Sequence, residues 1–514
     1  MTGSERFSLP LRSPGASSRA SAREVARAAS EVLNRPIAEL LASGGDHRQV
    51  PKDGRNSYGM LLADLDPIVR GSSCTATPPD AVALAVADEW RVGLLRSITR
   101  ANALPDHRAL RSQVVDPMLQ WLGLEPEHDR RVVFTPSGTD AETIATAFAL
   151  SATDGRVRNV LVGAMEAGSG TAVAASGRCF GSRMPFRSEV TPGMAVDGFP
   201  TDRVSVADVE LRDGRGRPRR AFDVEAEIEA QVEDALDCRE LVLVHAMAGS
   251  KTGLRQIDPA WVRKWRQRFP EQLRVVVDAA QGRCTPAEVR AFLEAGASVS
   301  LTGSKALSAP PFCGVLVLGD AMLADVERAA AHGQSLPTGF RDIVAAADLP
   351  DALVGTITDI EPANLGLLAR WHVALDEVAR LAALEREDRD VFTEALVEQL
   401  VVRLSGVRTV RLVPSVDFTP TIIAFHILDA TGEPMDKVAL TDVYRSLAER
   451  PGVQLGQPVE LFAGGPAALR FAIGSTTITR ALMTGASPIV QSAKVAQTVV
   501  DVLDEYLPEP AFAR

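Results

Sequence analysis

The sequence predicts an α/β protein with a mostly parallel sheet flanked by helices, followed by a smaller C-terminal α+β domain. Three observations predict it. From Arg131 onward the pattern strand, loop, helix repeats. The last two strand candidates of that series, 298–301 and 314–318, are joined by a short connection, so 314–318 is expected to run antiparallel. After Asp359 long amphipathic stretches take over, and strands and helices then follow in a different order.

Residues 1–20 are rich in Ser, Arg and Ala without the apolar core of a secretory signal, and read as a mobile tail. An N-terminal arm is expected over 21–78. Within it, Val25, Ala28, Val32, Leu33, Ile37, Leu40 and Leu41 repeat with helical period up to the break at Gly44-Gly45. Asp53-Gly54-Arg55-Asn56-Ser57-Tyr58-Gly59 is turn-rich and reads either as a loop crossing near the active site or as a surface turn. The large domain is placed at 79–360. It opens with two helices over 79–122, and its strands are read at 132–135, 159–163, 241–245, 273–277, 298–301 and 314–318. The charged stretch 208–220 reads as an exposed excursion. The small domain is placed at 361–514, with two bridging amphipathic stretches over 365–404, strands within 407–428 and 453–474, and helices at 435–450 and 493–507.

The bulk properties exclude several functional classes. A chain of 514 residues is long enough for two domains. A net charge of -11 argues against binding nucleic acid or an anionic membrane surface. No apolar run reaches the length of a membrane span. The cysteines at 74, 179, 238, 284 and 313 are odd in number and form no CxxC pair, which argues against a zinc site or a disulfide framework and fits a reducing cytoplasm.

Three stretches carry chemistry at the ends of predicted strands. In Ser300-Leu301-Thr302-Gly303-Ser304-Lys305 a buried strand stops at Thr302-Gly303 and places Lys305 at the sheet edge where α/β proteins bind ligands. Burial disfavours the ammonium form, and an unprotonated lysine forms a Schiff base with an aldehyde. Thr302 and Ser304 flank it with hydroxyls suited to a phosphate. In Thr135-Pro136-Ser137-Gly138-Thr139-Asp140-Ala141-Glu142 a strand ends and a helix begins. This is either an anion site built from free N–H groups and hydroxyls or an ordinary capping box. In Val275-Val276-Val277-Asp278-Ala279-Ala280-Gln281-Gly282 an aspartate ends a buried strand. A charge there demands a cation, such as a protonated pyridine nitrogen, or caps the next helix.

Taken together, the order and spacing of these stretches over roughly 130–320 resemble the fold-type I pyridoxal phosphate (PLP) enzymes, specifically the class V aminotransferase and cysteine desulfurase group. The resemblance implies the PLP-dependent transferase fold with a seven-stranded sheet. It implies Gly138 and Thr139 on the cofactor phosphate, Asp278 on the pyridine nitrogen, Gln281 near the ring hydroxyl, Thr302 and Ser304 beside the phosphate, and Lys305 as the Schiff-base lysine. Val354-Gly355-Thr356, read as preceding a helix, resembles a Gly-Thr that reaches the phosphate of the neighbouring subunit, which implies a homodimer with shared sites and Thr356 as a ligand in trans. Ala468-Leu469-Arg470-Phe471-Ala472-Ile473-Gly474 resembles the group's Arg-x-Ser-x-Gly strand with Ala472 in place of the serine, and implies Arg470 on the substrate α-carboxylate.

The sequence also departs from the group. The ring-stacking histidine is missing from Glu166-Ala167-Gly168-Ser169-Gly170-Thr171. His245 sits at a strand end, near the cofactor or simply buried. The last cysteine, Cys313, lies too close to Lys305 to serve as the nucleophile of a persulfide-forming desulfurase. The sequence therefore points to a PLP enzyme acting on an amino acid. Transamination comes first, elimination by a C–S lyase second, and decarboxylative or aldol-type chemistry third. A non-catalytic binding module of the same fold is the reading of another class. Substrate selection is expected from residues 53–59 and 166–171.

Overall fold

Runs of Val, Leu and Ile build the strands of the computed structural model, which describes residues 21–63, 69–72, 77–168, 170–254, 257–414, 421–449 and 452–507. In chain order the strands are β1 (Val69–Gly71), β2 (Val132–Thr135), β3 (Val157–Val162), β4 (Val204–Val209), β5 (Leu241–Met247), β6 (Leu273–Asp278), β7 (Ser298–Thr302), β8 (Gly314–Val317), β9 (Val410–Leu412), β10 (Ile422–Ile427), β11 (Val453–Glu460) and β12 (Ala467–Ala472). The predicted tail at 1–20 and Cys74 lie outside the described residues.

The large sheet has seven strands in the order β2-β8-β7-β6-β5-β3-β4. β8 pairs antiparallel with both β2 and β7, and the other pairings are parallel. Six of its strands are those read from the sequence, with β8 reversed as its short connection required. Both faces are covered, because each buried strand sends alternate side chains into different cores. Phe134, Val244, Val275, Val277, Val299 and Val315 pack into one cluster, while Val133, Leu243, Val276 and Leu316 pack into another. The helix Gly138–Leu150 fills the second side and is buried from Thr139 to Leu150.

One strand of this sheet escaped the sequence reading. β4 adds to the edge parallel to β3, and its first residues are only partly covered, so it lacks the continuous apolar run of the central strands. It ends at Val209, inside the stretch read as an exposed excursion.

The small domain is a five-stranded sheet in the order β1-β11-β12-β10-β9. Helices Arg386–Leu404, Lys437–Ala448 and Pro488–Tyr506 contribute to its core, with Phe392, Leu440 and Val499 buried. The segment read as an N-terminal arm is divided between the two bodies. Leu33, Leu40 and Leu41 enter the large core, whereas Met60 enters the small core and β1 pairs parallel with β11. The two bridging stretches are likewise divided. Helix Leu365–Ala382 packs in the large core, where Arg370 donates to the carbonyls of Phe312, Leu41 and Ser43. Helix Arg386–Leu404 packs in the small one. No described helix is long and apolar enough to cross a membrane.

Candidate active site

Three strands end at the same edge of the large sheet, and each delivers a functional stretch. β2 ends at Thr135 and Ser137 caps the following helix. Its Oγ accepts from the Asp140 N–H at 3.1 Å and donates to Asp140 Oδ2 at 2.6 Å. Gly138 and Thr139 therefore form the first turn, where helix N–H groups have no partner within the helix. β6 ends at Asp278, whose Oδ1 accepts from the Ala280 N–H at 2.8 Å. β7 ends at Thr302, whose Oγ1 donates to the Ala280 carbonyl at 2.8 Å. A Cβ on Gly138 would lie 3.7 Å from Thr302 Cγ2 and 3.8 Å from Ala280 Cβ. The structure thus gathers Gly138, Thr139, Asp278, Gln281, Thr302, Ser304 and Lys305 along one edge. Gln281, Thr302 and Ser304 are buried, and Lys305 and Asp278 are half-buried.

The small domain closes over this edge. The Ser475 N–H donates to the Ala306 carbonyl at 2.7 Å, directly after the lysine. Arg470 on β12 is buried, and its Nη1 donates to the Lys251 carbonyl at 3.0 Å. A Cβ on Gly456, its partner on β11, would come within 2.5 Å of Arg470 Cγ, so glycine leaves the arginine room there. From the other side Arg283, two residues past Gln281, donates through Nη1 to the Ile473 carbonyl. Arg470 is thereby carried from the small domain to the rim of the large one.

The stretch where the sequence lacks a ring-stacking histidine is braced by a polar cluster. Glu166 is buried and pairs with Arg212, and it accepts from the Thr252 hydroxyl. Its carbonyl accepts from the Lys251 N–H at 3.2 Å. A short helix, Thr171–Ala175, follows, and a Cβ on Gly170 would approach Thr139 Cγ2 to 3.0 Å. Ser169 lies outside the described residues.

Of two further candidates, His245 takes the buried one of its expected places and Thr356 departs from expectation. His245 is buried on β5, with Nε2 at 2.8 Å from Asn159 Oδ1 and Nδ1 paired with the buried Glu142. Asn159 satisfies Nε2 and Nδ1 faces the Glu142 carboxylate, so the ring packs between strand and helix. Val354-Gly355-Thr356 ends the one-turn helix Asp351–Val354 instead of starting one, and the next helix begins at Leu365. The Thr356 hydroxyl donates to the Leu353 carbonyl at 2.6 Å, as a threonine closing its own turn does.

Sequence reasoning missed four charged residues here. Arg48 pairs with Asp46 and stacks over Phe180 and Phe312, at 5.3 Å and 4.9 Å from their ring centroids. Burial opposes its charge, but the Asp46 carboxylate, hydrogen-bonded to it, outweighs that and holds the guanidinium firmly protonated. Asp140 is pushed up to about 7 by burial, with Asp46 adding to the effect and Ser137 and Arg48 opposing it. Lys251 is drawn down to about 7 by burial and by the neighbouring Arg470 and Lys305. Burial and Arg470 lower Arg283 to about 10. The signal for Lys251 was its place in Gly249-Ser250-Lys251-Thr252-Gly253, a Gly-flanked turn after a buried strand. Arg48 carried no such signal, because Phe180 and Phe312 are distant in sequence.

Solved structures share this arrangement of strands and domains. A cysteine desulfurase from Thermococcus onnurineus NA1 superposes with a TM-score of 0.51 over 86% of this chain and 94% of its own, at 13% identity. The chain has the PLP-dependent transferase fold that these structures share. A ureidoglycine-glyoxylate aminotransferase from Bacillus subtilis matches at a TM-score of 0.51, covering 88% of this chain and 96% of its own at 11% identity. The 4-hydroxyphenylacetaldehyde synthase of Rhodiola rosea matches at 0.50, covering 88% and 85% at 15% identity. One fold thus spans several chemistries, and the reaction must be argued from the site. No family model and no curated protein matches the sequence.

Proposed function

We propose that this chain is a PLP-dependent enzyme acting on an amino acid, with transamination as its reaction. The observation that carries the reading is the meeting of Gly138, Asp278 and Lys305 on one sheet edge. The donor set fits the cofactor. Gly138 and Thr139 offer helix N-terminal amides and a hydroxyl for its phosphate, with Thr302 and Ser304 beside them. Asp278 supplies a carboxylate for the ring nitrogen, one of its oxygens being fixed by the Ala280 N–H. Gln281 lies near the ring hydroxyl in this reading.

The bound cofactor supplies an electron sink for the pair released when a bond to the substrate Cα breaks. The chain's own residues do the rest. Asp278 would hold a proton on the ring nitrogen. Arg470 orients the α-carboxylate, for which a guanidinium has the matching two-pronged geometry. Lys305 would hold the cofactor through its amine, and that amine, once free, would move the substrate Cα proton. Elimination would begin with loss of the same Cα proton, whereas decarboxylation would break the Cα–carboxylate bond instead. A persulfide mechanism fits less well, because Cys313 lies buried behind the lysine turn and burial pushes its thiol far above the ordinary range. A homodimer with Thr356 reaching the partner's phosphate belongs to the same proposal. It needs that hydroxyl to leave the Leu353 carbonyl.

Absorption spectra test the reading. Wild type with added PLP should turn yellow and keep the cofactor covalently after borohydride reduction, with the added mass on the peptide containing Lys305. Lys305→Ala should do neither. Conversion by an amino acid to the aminated cofactor, with release of the keto acid, supports transamination. A wild-type protein that takes up no PLP refutes the reading.

A further inference from the structure

Arg212 divides its guanidinium among three separate segments. Nε pairs with the Glu166 carboxylate on the stretch after β3. Nη2 donates to Thr252 Oγ1 at 2.7 Å on the loop after β5, and Nη1 donates to the Gly216 carbonyl at 2.9 Å. The Thr252 hydroxyl in turn donates to the second Glu166 oxygen. Arg212, Glu166 and Thr252 are all buried. A buried ion pair with its hydrogen bonds made is rigid, because breaking one contact strands a charge away from water.

The backbone of Lys251 links this cluster to Arg470. Its N–H donates to the Glu166 carbonyl at 3.2 Å, and its carbonyl accepts from Arg470 Nη1 at 3.0 Å. The segment that carries Arg212 also reaches the strand that carries Arg470. Residues 212–218 form a turn closed by an antiparallel bridge between Arg212 and Pro218. A Cβ on Gly216 in that turn would lie 2.9 Å from Phe462 Cδ1 and 3.4 Å from Leu461 Cβ, in the connection between β11 and β12. One residue thus braces both supports of Arg470: the carbonyl that its guanidinium meets and the loop that leads into its strand.

We propose that Arg212 is a positioning residue for the substrate: through Glu166 and the Lys251 backbone it sets the direction in which Arg470 presents its guanidinium to the α-carboxylate. This rests on the role of Arg470 given above and adds the group that orients it. A guanidinium grips a carboxylate with two prongs only in its own plane, so a tilt of that plane weakens the contact without removing the charge. The signature is therefore selective. Removing Arg212 should weaken recognition of a carboxylate and leave the capture of an uncharged amine by the same cofactor unchanged.

Two reagents that capture the cofactor aldehyde separate this role from a general loss of structure. Aminooxyacetate carries a carboxylate and methoxyamine does not, and both bleach the yellow of bound PLP. On wild type loaded with PLP, aminooxyacetate should react at least about tenfold faster than methoxyamine. Arg212→Met and Thr252→Val should each cut that ratio about tenfold while methoxyamine stays within about twofold of its wild-type rate. Thr252→Val removes one hydroxyl and keeps the ion pair, so it decides the matter if Arg212→Met does not fold. A ratio unchanged in the variants, or an equal slowing of both reagents, overturns the inference. Hydrogen exchange reads the same brace in protein without PLP. In either variant the Lys251 amide should exchange about tenfold faster than in wild type, with the β5 amides within about twofold. Unchanged exchange at Lys251 overturns the inference whether or not the cofactor binds. PLP uptake by wild type without preference for aminooxyacetate overturns it too and leaves the cofactor reading standing. A protein that takes up no PLP refutes the cofactor reading, and the exchange rates then decide the role of Arg212.

Discussion

Asp140→Asn is expected to stabilise the protein at pH 8 and to lose most of that advantage at pH 5. Asp140 opens the helix behind the phosphate turn and is 4% exposed. Burial and the nearby Asp46 raise its carboxyl from the ordinary 3.8 to about 7. The folded state therefore keeps this proton more tightly than the unfolded chain does. Below about pH 4 both states are protonated and nothing is lost. From there to pH 7 only the unfolded chain releases the proton, so stability falls as pH rises; above 7 the loss is constant. At about 1.4 kcal/mol per unit, the two units between pH 5 and pH 7 amount to about 3 kcal/mol. Asparagine preserves the size of the side chain and accepts from the Ser137 hydroxyl without carrying charge. Thermal melts of wild type and variant, recorded side by side from pH 5 to pH 8.5, read the difference. The gap in melting temperature should open with pH and level off above 7. A gap that is constant across the range would refute the argument, since it would place the effect in packing. The same reasoning bears on function: a neutral Asp140 leaves the turn at Gly138 and Thr139 free of a competing negative charge.

Two further predictions concern parts of the fold that frame the site. An alkylating reagent should label the exposed Cys238 in the folded protein and spare Cys313, whose Sγ would lie 2.9 Å from a Cβ on Gly303; comparable labelling of both, read by peptide mass spectrometry, would contradict the buried placement. Gly71→Ala should destabilise the small domain by roughly 1–3 kcal/mol, as overpacking does. Its new Cβ would fall 2.2 Å from the Phe471 ring. An unchanged melt would show that Gly71 does not lie against the Phe471 ring.

The sequence by itself determined most of the large sheet and the edge where the candidate site lies. Buried strands such as β5 and β6 announce themselves as unbroken apolar runs, and turn residues mark where they stop, so the positions of Gly138, Asp278 and Lys305 at strand ends were legible. The reversal of β8 followed from a connection too short for a parallel crossover. β4 was not legible, because a half-exposed edge strand has no such run. The role of His245 was not legible either, since its partners Asn159 and Glu142 come from a different strand and a helix. Only the tertiary structure divided the N-terminal segment between two cores and brought β1 to β11 across nearly 400 residues of chain. It alone set Arg48 between Phe180 and Phe312, and gathered Lys251, Arg283 and Arg470 from three separate segments. Local sequence fixes which residues favour a strand, a cap or a turn. Which charges face one another is decided by long-range packing, and in this chain that packing sets Arg470 of the small domain on the Lys251 carbonyl of the large one.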